Sequence, residues 1–145
     1  MKLNMNKIFA IIIILIIFIA CKRQRDVLVE PQKDFTGTWK IGKVVRNETD
    51  ITEWLDLSQF KLTLNGDNTY TLEGNNIPFV ANASGTWSVD DPAYPFHISF
   101  KVKDSTNAST ADILAPATKG KRNIVINFSP GCNANKYVYT LESIQ

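Results

Sequence analysis

The chain opens on an uninterrupted apolar run and then changes character. Residues 8–20 are apolar throughout, and eight of these thirteen are isoleucine. From Phe35 onward, apolar and polar positions alternate in short runs, the period-two pattern of half-buried strands. Phe60, Leu62 and Leu64 alternate with Lys61 and Thr63; Asn65-Gly66-Asp67-Asn68 supplies turn residues; Tyr70 and Leu72 resume the alternation. That sequence predicts a hairpin closed at Asn-Gly. Phe96, Ile98, Phe100 and Val102 share one predicted face, with His97, Ser99, Lys101 and Lys103 opposite. Ile124, Ile126 and Phe128 follow a turn at Lys119-Gly120-Lys121, and Tyr137, Tyr139 and Leu141 alternate near the C-terminus. Strands near 37–46, 84–89 and 110–115 bring the count to about eight. The one helical piece expected is a short turn over 51–58, after the first strand. The fold class is therefore all-β, a small antiparallel barrel or sandwich, and closure removes the edges such strands would otherwise expose.

Composition narrows the chemistry. A chain of 145 residues fits one domain. Two cysteines cannot build a zinc ribbon or a disulfide scaffold, and one histidine cannot supply a His-rich metal site. The 16 basic residues outnumber the 14 acidic ones, but unevenly along the chain. Lys2 and Lys7 precede the apolar run and Lys22, Arg23 and Arg25 follow it, so residues 26–145 hold 11 basic against 14 acidic residues. The folded part is mildly acidic, which disfavours nucleic acid as a partner.

Thirteen helical residues span about 20 Å against roughly 30 Å of hydrocarbon, short for a membrane span. The basic start and short apolar run match a secretory signal. Phe18-Ile19-Ala20-Cys21 resembles a bacterial lipobox, with Phe18 where that pattern usually has Leu. The resemblance implies that Cys21 is lipidated and becomes the mature N-terminus. An uncleaved anchor is the competing reading, supported by the basic cluster after the run. The expected organisation is a lipoprotein signal peptide over 1–20, a tether over 21–34 and a β domain over 35–145. Val27-Leu28-Val29 could add an edge strand or stay extended, and some 14 extended tether residues reach at most about 50 Å, enough for the domain to stand off the membrane. The basic patch beside the lipid either favours anionic headgroups, at roughly 1 kcal/mol per charge, or is a soluble flank with no lipid preference.

One motif occurs twice. Thr36-Gly37-Thr38-Trp39-Lys40-Ile41 is echoed 48 residues later by Ser84-Gly85-Thr86-Trp87-Ser88-Val89. Glycine permits a bend or a close approach, and the tryptophan can plug a barrel end. Gly-x-Trp opening the first strand resembles the lipocalin signature. The stretch from Phe35 resembles lipocalin-like domains of unknown function found in small lipoproteins of Bacteroides-type bacteria. The residues that carry this are Gly37-Thr38-Trp39, the 54–60 segment, Gly66-Asp67-Asn68-Thr69-Tyr70, Gly85-Thr86-Trp87, Asp91-Pro92-Ala93-Tyr94-Pro95-Phe96 and Ser129-Pro130-Gly131-Cys132-Asn133-Ala134-Asn135-Lys136-Tyr137. The resemblance implies a small lipocalin-like barrel and brings no catalytic residues. Surface-exported lipoproteins of that group carry an acidic run after the cysteine. Here Lys22-Arg23-Gln24-Arg25 is basic, which implies an outer-membrane anchor with the domain facing the periplasm.

Candidate chemistry is sparse, and no cofactor, metal or catalytic residue is expected. His97 reads as a surface residue; Ser99 shares its face, but a serine–histidine pair also needs an orienting acid and an oxyanion hole. Cys132 lacks a basic neighbour in sequence and reads as a buried or turn thiol that could pair between molecules. Asp90-Asp91 before Pro92 reads as a turn. Three function classes follow. One is a barrel binding a small apolar or glycan ligand, its interior lined by Trp39, Phe60, Tyr70, Trp87, Phe96, Phe100 and Phe128. Another is a tethered interaction module for an envelope protein partner, for which those same rings would fill the barrel and Trp54 would be the first anchor to test. An enzyme comes last.

Overall fold

The structure is a computed structural model, and it describes residues 31–74, 76–118, 121–131 and 134–144. Cys21, Cys132, the apolar run, Val27-Leu28-Val29 and part of the Lys119-Gly120-Lys121 turn lie outside the described residues.

Among the described residues, ten strands form: β1 (Gly37–Arg46), β2 (Thr49–Asp50), β3 (Lys61–Leu64), β4 (Thr69–Glu73), β5 (Gly85–Val89), β6 (His97–Val102), β7 (Ser109–Leu114), β8 (Ala117–Thr118), β9 (Lys121–Phe128) and β10 (Tyr137–Ile144). Eight of them run β10-β1-β3-β4-β5-β6-β7-β9, and a β9–β10 pairing closes the ring. All pairings are antiparallel, so the domain is a closed eight-stranded barrel. The two-residue strands β2 and β8 are appended to β1 and β9.

Alternation becomes inside and outside as the pleat requires. Leu62 and Leu64, Ile98 and Phe100, Ala111 and Ile113, Ile124 and Ile126, and Tyr139 and Leu141 are buried together in one core. The helical piece is shorter than its sequence predicts. Only Thr52–Trp54 forms a 3₁₀ turn, and Leu55 is already extended at φ −114°, ψ 139°. Its limits follow from aspartates that hold the chain in turns. Asp50 Oδ1 accepts the Thr52 amide and hydroxyl at 3.0 and 2.6 Å, and Asp56 Oδ1 accepts those of Ser58 at 3.1 and 2.6 Å. Asp34 with Thr36 and Asp67 with Thr69 repeat the device. In each, the hydroxyl and amide stabilise the carboxylate and lower its pKa.

The two glycines of the repeated motif serve different needs. Gly37 has φ +126°, a conformation that side chains rarely adopt. At Gly85 a Cβ would lie 2.0 Å from the Lys101 carbonyl oxygen, so β5 could not approach β6 this closely with any larger residue. Strand directions define two barrel ends. One, the near end, gathers residues 31–36, the Asn65–Asn68 turn, the loop over 90–96 and the start of β9. The far end gathers Thr52–Trp54, the loop over 74–84 and the residues before β10.

Candidate functional site

At the far end, the barrel interior is occupied by the chain itself. Phe79, on the loop over 74–84, reaches in among rings from four other places. Its centroid lies 5.2 Å from Phe60, 5.9 Å from Phe100, 6.0 Å from Phe128 and 5.9 Å from Tyr139. Ile77 and Ala81 on the same loop are buried. Two tyrosines fasten the loop from within the barrel: Tyr70 Oη donates to the Ala83 carbonyl at 2.6 Å, and Tyr139 Oη donates to the Pro78 carbonyl. The loop fills a real gap, because β4 and β5 pair only at Thr69–Thr86 and Tyr70–Gly85. Of the interior residues expected from sequence, Phe60, Tyr70, Phe100 and Phe128 are buried here. Phe79 was not among them. The apolar island Ile77-Pro78-Phe79-Val80, between Gly74-Asn75-Asn76 and Asn82, is the signal that marks it.

Burial pushes the Tyr70 hydroxyl up to about 12 and raises that of Tyr139 further. In the unfolded chain both would ionise near pH 10. The folded chain therefore holds more protons above that pH, so the stability these groups contribute is present below about pH 10 and lost as pH rises through their folded values. The melting temperature should fall between about pH 9 and about pH 12, and fall less steeply in Tyr70→Phe. Circular-dichroism melts across that range test this; an identical pH slope in the variant would disconnect the loss from the loop's fastening.

The near end is closed by the two motif tryptophans, both buried. Trp39 Nε1 donates to the Phe35 carbonyl at 3.0 Å, and Trp87 Nε1 donates to the Asn65 carbonyl at 3.2 Å. Phe96 corrects the sequence expectation. It is 68% exposed, although it has the parity of buried Ile98 and Phe100. The reason is that β6 starts only at His97. Asp90 Oδ1 takes the amides of both Phe96 and His97, and Phe96 stays at the rim beyond the last inward layer. There it borders an outward groove of about 350 Å³ with Leu114, Val125, His97, Asp112 and Asn127.

His97 lies between two carboxylates in this groove. Nδ1 is 2.8 Å from Asp90 Oδ2, and Nε2 is 3.7 Å from Asp112 Oδ1. Both ring nitrogens thus face acids, and Ser99 Oγ pairs with Thr110 Oγ1 at 3.0 Å. The His97–Ser99 pair is not formed. The His97 amide and imidazole, with a smaller part from the Phe96 amide, hold the Asp90 carboxyl far below the usual carboxylate range. Among the described residues, no group of three or more His, Cys, Asp or Glu is placed to hold a metal ion. A second groove, about 500 Å³, is lined by Thr69, Tyr70, Thr86, Lys101, Val102 and Lys103 among others.

Comparison with known proteins gives a family without an assigned role. A family described as a domain of unknown function (DUF5004) matches residues 19–142. No curated protein matches, and no solved structure does. A closed eight-stranded barrel is an architecture compatible with ligand binding.

Proposed function

The chain belongs to this family of domains of unknown function, and from that premise we propose that it is a lipid-anchored, non-catalytic cell-envelope protein whose barrel is a rigid docking module. Phe79 carries the docking part of this reading: the space a carrier barrel keeps for its ligand holds a ring of the chain's own, in contact with four others. The anchor is supported by the apolar run over 8–20, the lipobox-like Phe18-Ile19-Ala20-Cys21 and a family match that begins at residue 19 and so takes in Cys21. The basic Lys22-Arg23-Gln24-Arg25 supports an outer-membrane lipoprotein facing the periplasm. The protein partner's anchor is Trp54, 76% exposed at the far end, because tryptophan is enriched among the residues that carry interface binding energy.

Native mass spectrometry of the acylated protein purified from its own cells tests this. The expected spectrum has a co-purifying protein and no bound small molecule. Trp54→Ala should change stability by less than about 0.5 kcal/mol, as for an exposed residue, and lose the co-purifying protein. A retained small molecule, or a partner indifferent to Trp54→Ala, overturns the docking reading. The second reading, binding of a small apolar or glycan ligand, is favoured by the 500 Å³ groove, whose Ser84, Thr86, Lys101 and Lys103 offer polar groups beside Tyr70 and Val102.

A further inference from the structure

The near end of the barrel brings together two features that the docking reading leaves unused. The first is a set of exposed apolar side chains: Tyr94 at 55%, Phe96 at 68% and Leu114 at 66% exposed. Phe96 and Leu114 border one groove together with Val125, and Tyr94 stands two residues before Phe96 on the same loop. The second is the place where the chain leading from Cys21 meets the barrel. The Lys33 amide donates to the Pro92 carbonyl at 2.7 Å, on the loop that carries Tyr94 and Phe96. Arg122, at the start of β9, donates to the carbonyls of Asp34 and Thr36. Residues 33–36 are thus fixed to the same rim that exposes the aromatic side chains.

Chain length then decides what meets that rim. Pro31 lies ten residue steps beyond Cys21, which extended reach at most about 35 Å. A barrel held to a bilayer through Cys21 is attached at the near end, so this is the end from which the covalent link leaves and the one it holds within about 35 Å of the lipid. Aromatic side chains on such an end match the interfacial layer, where tyrosine and other aromatic rings settle at headgroup level. The carboxylates here face the chain's own donors: Asp90 the Phe96 and His97 amides, Asp91 those of Ala93 and Tyr94, Asp34 the amide and hydroxyl of Thr36, Asp67 those of Thr69, and Asp112 the Asn127 side-chain amide and the His97 ring. Lys22, Arg23 and Arg25, next to the lipidated cysteine, supply the opposite charge for anionic headgroups.

We infer that the rim carrying Tyr94, Phe96 and Leu114 rests on the bilayer that holds the Cys21 lipid, with these side chains in the headgroup–acyl boundary. The inference depends on the lipoprotein reading and adds to it an orientation: near end to the membrane, Trp54 at the far end away from it.

The test uses the full acylated protein, its acyl mass verified, in vesicles of phosphatidylethanolamine and phosphatidylglycerol with and without dibrominated acyl chains. Bromine quenches tryptophan fluorescence only at close range. In a Trp54→Phe background, Phe96→Trp should add emission that is lost in brominated lipid, as expected for a ring at headgroup level. Native Trp54, read as the difference between wild type and Trp54→Phe, should keep its emission. Tyr94→Trp provides the same readout should Phe96→Trp fail to fold. An acyl mass with both rim tryptophans unquenched, or with Trp54 quenched instead, overturns this inference and leaves the lipidation reading intact. Absence of the acyl mass overturns the lipidation reading and the inference with it.

Discussion

Cys21→Ala should abolish incorporation of a fatty-acid probe and leave the chain at precursor length in its native cells. The expectation is all-or-none, because acylation and the cleavage that follows it both need the thiol. Serine in its place should behave in the same way, since a hydroxyl does not form the thioether. The physical case is the juxtaposition of thirteen apolar residues, too short to span the hydrocarbon core, with a small residue and then a cysteine. More than one acyl chain gives stable anchoring where a single chain is marginal. The wild-type protein should therefore stay with membranes in high salt, while the basic cluster alone would release. Metabolic labelling followed by a gel shift is the measurement. Unchanged labelling in Cys21→Ala removes the lipoprotein reading, and an unprocessed wild-type chain restores the uncleaved anchor as the explanation of the apolar run.

How much of the fold could be read in advance depended on whether a feature repeats along the chain. The strand limits 37–46 emerge unchanged as Gly37–Arg46, and the Asn-Gly hairpin lies between Lys61–Leu64 and Thr69–Glu73. Both depend on alternation, which the pleat converts directly into sides. Alternation does not mark where a strand starts. Phe96 has inward parity, yet the Asp90 carboxylate captures the amides at the start of β6 and the side chain remains at the rim. The loop over 74–84 has no period at all, so Phe79 could be found only as an apolar island among polar residues. Its position is set by tyrosine hydroxyls 61 residues away for Pro78 and 13 away for Ala83. Long-range hydrogen bonds of this kind leave no local trace. The helical turn shortened for a different reason, since Asp56-Leu57-Ser58 offers the backbone a hydroxyl-and-carboxylate turn that competes with helix. The repeated Gly-Thr-Trp was visible as a repeat, but that one glycine supplies a positive φ and the other a close strand approach is legible only in the folded backbone.

Trp39→Ala should destabilise the domain by about 3–5 kcal/mol, the usual cost of removing a large buried aromatic. Against a total stability of about 5–15 kcal/mol, that removes between a fifth and nearly all of what holds the domain folded. Three interactions at one side chain set the size. The ring is 1% exposed, its indole N–H bonds the Phe35 carbonyl at 3.0 Å, and the Arg122 guanidinium lies 5.3 Å above it. Arg122 is the same group that binds the carbonyls of Asp34 and Thr36. Loss of the ring therefore removes the support for the segment over 33–36 that leads into β1, as well as leaving a cavity. Trp39→Phe separates the contributions: it keeps most of the packing and the cation above the ring, and loses the hydrogen bond, for a cost nearer 1–2 kcal/mol by the sum of about 1 kcal/mol for the bond and a partial cavity. Urea unfolding of the two variants beside wild type gives both numbers. A loss under about 1 kcal/mol in Trp39→Ala would mean that the near end is held by Phe35 and Trp87 without it. The segment over 33–36 responds separately. In Trp39→Ala its amides, the Lys33 bond to Pro92 included, should exchange with solvent at conditions where β9 and β10 remain protected, because the staple of Trp39 and Arg122 has gone while the β9–β10 ladder has not. Equal loss of protection in both would show that the lead-in segment and the barrel wall unfold as one unit.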